Sequence, residues 1–161
     1  MNNQTTSLES SHFPVMLNEV LNISSPANGG NFLDCTFGGG GYCKEILKFS
    51  KTNVQALDRD EKALLIAKKL KKKFPLRFKF YQLKFSQLNG ILRENADVII
   101  FDLGLSSIQL NDLSRGFSFK SDKKLNMKMG LNEISALDAI NNLSELDLKL
   151  VIKILGEESE A

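Results

Sequence analysis

Four short apolar segments alternate with helical segments between residue 31 and residue 103. The apolar segments read NFLDCT, NVQALD, RFKFYQL and DVIIFDL, and between the second and the third lies the helical segment DEKALLIAKKLKKKF. Strands that alternate with helices indicate a parallel sheet, because a parallel pair needs a crossover connection that is usually a helix. The sequence therefore predicts an α/β fold with a parallel sheet and helices on both faces.

The loops that follow the strands are the candidate functional region. Right-handed crossovers place these loops at one edge of the sheet, where ligands of open α/β sheets bind. The glycine run 38–41 follows the first strand, Asp58 ends the second and Asp102 ends the fourth. A carboxylate about 20 residues after a glycine-rich turn can accept hydrogen bonds from ribose hydroxyls. This spacing favours an adenosine-containing cofactor over the alternative, a glycine turn that only packs a helix against a strand.

The glycine spacing also bears on which cofactor is bound. If Gly38 and Gly40 open a dinucleotide fingerprint, its third glycine falls on Cys43. That fingerprint serves to bind phosphates. S-adenosylmethionine carries none, so we favour it over NAD. Asp102 remains open at this point, because its carboxylate could accept a hydrogen bond from a substrate amino group or could cap the turn LGLSS.

Composition narrows the class of protein without naming a function. The 161 residues carry a formal net charge of +2 and contain no apolar run long enough to cross a membrane, and the polar N-terminus does not resemble a secretory signal. We therefore expect a cytoplasmic protein, with a disordered tail at residues 1–11. The two cysteines, Cys35 and Cys43, do not form a metal-binding or redox pair. No cluster of histidines and carboxylates predicts a metal site, since His12 is the one histidine.

Five blocks of the sequence match the motifs of one known family in order and spacing. HFPVMLNEV resembles HxPVLLxEV, DCTFGGGGY resembles D-x-TFGRGGH, ALDRD resembles GIDRD, FDLGLSSIQLND resembles LDLGVSSPQLDD, and RGFSF matches outright. The family is that of the bacterial 16S ribosomal RNA cytosine-N4 methyltransferases, called RsmH or MraW. The resemblance implies a Rossmann-like class I methyltransferase that uses S-adenosyl-L-methionine to methylate a cytosine of 16S rRNA, in the decoding region of the small ribosomal subunit.

The resemblance also implies roles for individual residues. Asp102 would be catalytic, gripping the target nitrogen, and the cofactor contacts would be Gly40, Gly41, Tyr42, Asp58, Phe85, Asp102 and Gln109. The sequence departs from the family pattern where Gly39 replaces an arginine, Tyr42 a histidine and Ile108 a proline. The block LNMKMG at residues 125–130 likewise replaces LDMRMD.

A segment without regular periodicity follows the fourth strand, at residues 103–130. Its cations and aromatic rings suit contacts with RNA phosphates and exposed bases, and the candidates are Arg115, Phe117, Phe119 and Lys128. The alternative is a basic loop with no ligand. Two helices are predicted in SALDAINNLSELDLKLVIKIL.

Domain boundaries follow from these assignments. We predict that residues 12–130 form the cofactor-binding domain and that residues 131–161 begin a helical substrate-recognition insertion. Family members run to about twice this length, so we expect a fragment that lacks their C-terminal half. Other readings of the function remain open, namely a methyltransferase for DNA or a small molecule, or a nonenzymatic module that binds the cofactor or RNA.

Overall fold

A computed structural model describes residues 14–90 and 95–160. The predicted tail at residues 1–11 and His12 lie outside the described residues, as do residues 91–94. The chain divides into two compact units, Met1–Ser107 and Ile108–Ala161. The predicted cofactor-binding domain, residues 12–130, extends across both units, and its boundaries stay a prediction.

The first unit is built on a four-stranded parallel sheet. Its strands are β1 (Gly30–Asp34), β2 (Thr52–Asp58), β3 (Phe78–Gln82) and β4 (Val98–Ile100). Their order across the sheet is β3-β2-β1-β4, and every pair is parallel. The predicted α/β class and the four predicted strands are confirmed, but β4 is shorter than predicted and ends at Ile100, so Asp102 lies beyond the strand that it was expected to end.

Three helices cover one face of this sheet. They are α1 (Leu17–Ser24), α2 (Gly41–Ile46) and α3 (Glu61–Lys73). The core on this face joins Phe32 of β1, Val54 of β2 and Phe78 of β3 to Ile46 and Ala67 of the helices. The helix α3 begins at residue 61 because the Asp60 side chain caps it by accepting the Lys62 backbone N–H at 3.0 Å.

The opposite face is covered differently from the prediction. The segment FSQLNGILREN at residues 85–95 predicts a short α-helix; residues 91–94 lie outside the described residues, and the structure has a 3₁₀ helix over Phe85–Gly90. Serine, asparagine and glycine in FSQLNG are weak helix formers, and they favour a tighter turn. Leu88 of this turn packs against Leu33 and Leu57 of the sheet.

The second unit is helical. It contains α4 (Ser107–Asn111) from its second residue onward, a 3₁₀ turn at Leu113–Arg115, α5 (Ala136–Asn142) and α6 (Glu145–Leu155). The helices α5 and α6 were predicted and are confirmed, whereas α4 and the 3₁₀ turn were not, because neither is long enough to show a helical period. Ser135 and Asp138 form a capping box that starts α5.

Among the described residues, no helix is long and apolar enough to span a membrane. The same residues contain no group of three or more histidine, cysteine, aspartate or glutamate side chains placed to hold a metal ion.

Candidate functional site

Three aspartates lie at the carboxyl edge of the sheet. Asp34 ends β1, Asp58 ends β2, and Asp102 lies two residues beyond β4. Parallel pairing puts all three at the same edge, because Asp34 is in register with Ala56 of β2 and Ile100 of β4. This is the edge where the sequence predicted a ligand.

The glycine turn connects β1 to α2 and is tightly packed. Gly38 and Gly40 have φ angles of 50° and 71°, which favour glycine. A Cβ on Gly40 would lie 2.6 Å from the ring of Phe37. That ring is buried and contacts Phe78 and Phe80, so it cannot yield easily. The turn therefore needs glycine at position 40 for both its conformation and its packing.

Asp58 is tied to this turn. One carboxylate oxygen accepts the Gly38 backbone N–H at 2.7 Å, and the other accepts the Asp60 N–H at 2.9 Å. Each carboxylate oxygen has a second acceptor position, so both can still bind a hydroxyl. Burial raises the pKa of Asp58, and the two backbone N–H groups partly oppose that rise. Asp58, the residue predicted to bind the ribose, thus also holds the glycine turn in place.

Asp34 is fully buried beside the same turn. Its carboxylate accepts the Thr36 backbone N–H at 3.1 Å and the thiol of Cys43 at 3.2 Å. Burial raises the pKa of Asp34 to about 6, against the hydrogen bonds from Cys43 and Thr36, which lower it. An acid in this position joins the end of β1 to the first turn of α2.

Asp102 projects from the edge of the sheet. Its side chain is exposed, and its backbone N–H donates to the Thr36 hydroxyl at 2.7 Å. The carboxylate is therefore accessible while the backbone that carries it is held to the segment after β1.

The side chain of Tyr42 is buried, so it is not placed to contact a bound cofactor. Its ring is only 6% exposed, and its hydroxyl donates to the backbone oxygen of Val15. Burial raises the pKa of the phenol, and the charges of Asp102 and Asp34 raise it further. A ligand at this turn would therefore meet the backbone of Tyr42 and not its ring.

Two aromatic rings stand at the edge beyond β3 and β4. Phe85 and Phe101 are each about half exposed, at 46% and 48%, and meet edge to face with centroids 5.7 Å apart. Phe85 was proposed from family resemblance, but Phe101 was missed. The signal for Phe101 was its position directly before Asp102 in the block FDLGLSS. Such half-exposed rings offer a surface on which a planar base can pack.

We define the strand-end site as the glycine turn 38–41 with Asp58, Phe85 and Asp102, all in the first unit. Direct contacts connect its parts: Gly38 to Asp58, Thr36 to Asp102, and Phe85 to the ring of Phe101 next to Asp102. The two thiols do not add a nucleophile to it. Cys35 and Cys43 are buried, and burial raises the pKa of both, so neither favours the thiolate.

The remaining predicted site residues belong to the second unit. Gln109 is buried in α4. The Arg115 guanidinium lies 5.4 Å from the ring centroid of Phe117 and donates to the backbone oxygen of Lys128 at 2.7 Å. Phe119 is fully exposed. The structure thus brings Arg115, Phe117 and Lys128 together.

The altered block at residues 125–130 is folded into this unit. The Asn126 side chain accepts the Lys128 backbone N–H at 3.0 Å, a bond that an aspartate could equally accept. Gly130 has a φ of 58°, which suits glycine. At these positions the chain lacks two negative charges of the family pattern, but Asn126 and Gly130 both suit the turns in which they stand.

The sequence matches a known protein family. The model of the MraW methylase family matches residues 9–161. The chain belongs to this family. The family predicted from the five sequence blocks is therefore confirmed.

Curated relatives carry the name ribosomal RNA small subunit methyltransferase H. The protein of Rickettsia canadensis is 42% identical over 153 residues, covering 94% of this chain and 50% of its own length. That of Bartonella bacilliformis is 43% identical over 147 residues, covering 91% of this chain and 44% of its own length. The chain thus spans about half the length of these relatives.

Solved structures show a more distant likeness. One is a putative methyltransferase from Streptococcus mutans in complex with SAH, 18% identical, with a TM-score of 0.45 and coverage of 55% of this chain and 53% of that one.

Proposed function

We propose that the strand-end site binds S-adenosyl-L-methionine and that the chain is the cofactor-binding part of an rRNA (cytosine-N4-)-methyltransferase. Its substrate is a cytosine in the decoding region of 16S rRNA, in the small ribosomal subunit, and its compartment is the cytoplasm. One observation carries the proposal: Asp58 at the end of β2 grips the Gly38 backbone in a chain of the MraW methylase family.

The residues of the site suit the parts of this cofactor. Asp58 keeps an acceptor position on each oxygen for the two ribose hydroxyls. Phe85 offers an aromatic surface for the adenine, and the backbones of Gly40, Gly41 and Tyr42 line the turn. No phosphate has to be bound, which agrees with the cofactor choice made from the glycine spacing. When bound, the cofactor supplies a methyl group already activated on a sulfonium sulfur.

Asp102 is the residue we assign to the reaction. The amino nitrogen of cytosine is a weak nucleophile because its lone pair is delocalised into the ring. A carboxylate that accepts a hydrogen bond from the amino group localises that pair and then takes the proton that nitrogen loses on methylation. The exposed carboxylate of Asp102, on a backbone held by Thr36, has the accessibility this role needs.

The second unit supplies the proposed RNA contacts. The Arg115 guanidinium lies 5.4 Å from the ring centroid of Phe117, and we assign this cation to RNA phosphates and this ring to an exposed base. Phe119 is fully exposed and can stack on an unpaired base. Lys128 adds positive charge, and Gln109 in α4 is a further cofactor ligand carried over from the family.

The test is methyl transfer by an extended chain, in which this chain is joined to the C-terminal half of the Rickettsia canadensis relative. Small ribosomal subunits are incubated with S-adenosylmethionine labelled in its methyl group, and the rRNA is digested to nucleosides. We expect label in N4-methylcytidine, reduced at least about a hundredfold in Asp102→Asn. Label in another nucleoside, or full activity of Asp102→Asn, contradicts the proposal.

A matched control uses Asp97→Asn in the same extended chain. Asp97 also accepts a backbone N–H, from Asn31 at 2.7 Å, but it lies at the opposite edge of the sheet, just before β4. Its replacement should leave the rate of methyl transfer unchanged. A comparable loss in both variants would show that the effect at Asp102 reflects folding alone.

A further inference from the structure

Thr36 is the one residue that contacts both Asp34 and Asp102 in the hydrogen bonds described above. Its backbone N–H donates to the Asp34 carboxylate at 3.1 Å, and its hydroxyl accepts the Asp102 backbone N–H at 2.7 Å. Neither the sequence patterning nor the family resemblance singled it out as a site residue. Its place between a fully buried acid and an exposed one indicates a specific task.

The backbone at Asp102 needs support from outside the sheet. The ladder between β1 and β4 ends at the pair Asp34 and Ile100, and Ile100 accepts the Cys35 N–H at 2.9 Å. Asp102 lies beyond that last bond, and its neighbours Phe101 and Leu103 are exposed. Two residues later, Gly104 has a φ of 133° and nothing within 4 Å of the position a Cβ would take. The Thr36 hydroxyl therefore binds the Asp102 backbone beyond the point where the sheet ladder ends.

The other end of this contact is firmly held. Asp34 is 0% exposed, and its carboxylate binds both Thr36 and the Cys43 thiol of α2. The segment after β1 is thereby fixed to β1 and α2 at once. A hydroxyl mounted on that segment has a defined position relative to the glycine turn that begins two residues later.

We propose that Thr36 is a positioning residue for the methyl-transfer site: its hydroxyl clamps the Asp102 backbone and so sets the Asp102 carboxylate relative to the glycine turn. The role of Thr36 in methyl transfer rests on the proposed function. The clamp itself is a separate physical claim, and each can fail without the other.

The clamp is tested with two conservative variants. Thr36→Val keeps the shape of the side chain and removes the acceptor, whereas Thr36→Ser keeps the acceptor. Amide hydrogen exchange, followed by NMR on the full chain, should be at least about tenfold faster at Asp102 in Thr36→Val and restored in Thr36→Ser. Amides inside β1 and β2, such as that of Leu33, should exchange at the same rate in all three proteins.

Thr52→Val is the matched control. The Thr52 hydroxyl is also engaged, donating to the backbone oxygens of Ile46 and Phe49 at 2.9 and 2.8 Å, but it lies at the start of β2, away from Asp102. This variant also loses hydrogen bonds between a threonine hydroxyl and the backbone, although the Thr52 hydroxyl donates where that of Thr36 accepts, and it should leave Asp102 exchange unchanged. Unchanged exchange at Asp102 in Thr36→Val, or equal acceleration in both valine variants, overturns the clamp.

Cofactor affinity tests the functional half of the inference. Titration of S-adenosylmethionine should show binding about fivefold weaker in Thr36→Val and normal in Thr36→Ser. In an Asp102→Asn background the further loss caused by Thr36→Val should shrink, because Thr36 acts through Asp102. Additive losses overturn the positioning role. Faster exchange at Asp102 in a chain that does not bind the cofactor at all would overturn the proposed function and leave the clamp standing.

Discussion

At the scale of single residues, Asp34 makes the sharpest physical prediction. Its pKa is raised from 3.8 to about 6 because it is buried, so the folded state binds its proton more tightly than the unfolded state. The stabilisation from that proton is present below pH 4 and is lost as the pH rises through 6. The loss amounts to about 3 kcal/mol in the free energy of unfolding.

Urea unfolding of the wild type and Asp34→Asn at pH 4 to 7 measures this effect. The asparagine variant removes the titration and can still accept the Thr36 N–H. The difference between the two proteins should therefore shift in favour of the variant by about 2 kcal/mol between pH 4 and pH 7, the part of the full change that falls within this range. Parallel pH profiles would show that Asp34 is not titrating in the folded state.

Some residues of the strand-end site could be predicted from the sequence and others could not. Asp58 and Asp102 could be predicted because their place at strand ends is enough to locate them, and the structure puts both at the expected edge. Tyr42 could not be placed, because its burial and the hydrogen bond of its hydroxyl to the Val15 backbone oxygen depend on a segment 27 residues away. Thr36 was missed for the same reason, since its partner Asp102 lies 66 residues away.

At the scale of elements, the glycine turn is the part most sensitive to substitution. Gly40→Ala forces a side chain into a φ of 71° and places its Cβ 2.6 Å from the buried Phe37 ring. We expect a loss of roughly 2 to 5 kcal/mol in the free energy of unfolding. Gly39→Ala is the control, because nothing lies within 4 Å of its Cβ, and its effect should stay within about 0.5 kcal/mol.

Denaturant unfolding of both alanine variants gives the comparison. Equal stability of the two would mean that the turn is not packed as described.

The secondary-structure elements were largely predictable, because strands and long helices show a hydrophobic periodicity in the sequence. The 3₁₀ helix at Phe85–Gly90 and the short α4 were not, since their few residues carry no period and depend on tertiary contacts.

At the scale of the whole molecule, exposed apolar side chains stand out. Ile99, Phe101 and Leu103, on and after β4, are 50%, 48% and 71% exposed. In the second unit, α6 exposes Leu146, Ile154 and further apolar residues, namely Leu150, Val151, Ile152 and Leu155. Exposed apolar surface of this extent is characteristic of surfaces that are covered by other protein.

The extended chain, which adds the C-terminal half of the Rickettsia canadensis relative, tests whether this apolar surface becomes covered. Each of the larger apolar side chains contributes about 1.5 to 3 kcal/mol when it is fully buried. We therefore expect the extended chain to unfold at a higher temperature than the present chain and to bind less of a dye that reports exposed apolar surface. Equal melting temperatures and equal dye binding would show that these side chains stay exposed.

The central claim is that the strand-end site binds S-adenosylmethionine, and titration calorimetry tests it most directly. The cofactor is titrated into this chain, Asp58→Ala and Asp97→Ala, each first shown to be folded by circular dichroism. We predict micromolar binding by the wild type and Asp97→Ala, and binding at least about tenfold weaker in Asp58→Ala, which loses the ribose acceptor. Absence of binding by the folded wild type, or equal affinity in Asp58→Ala, would contradict the account.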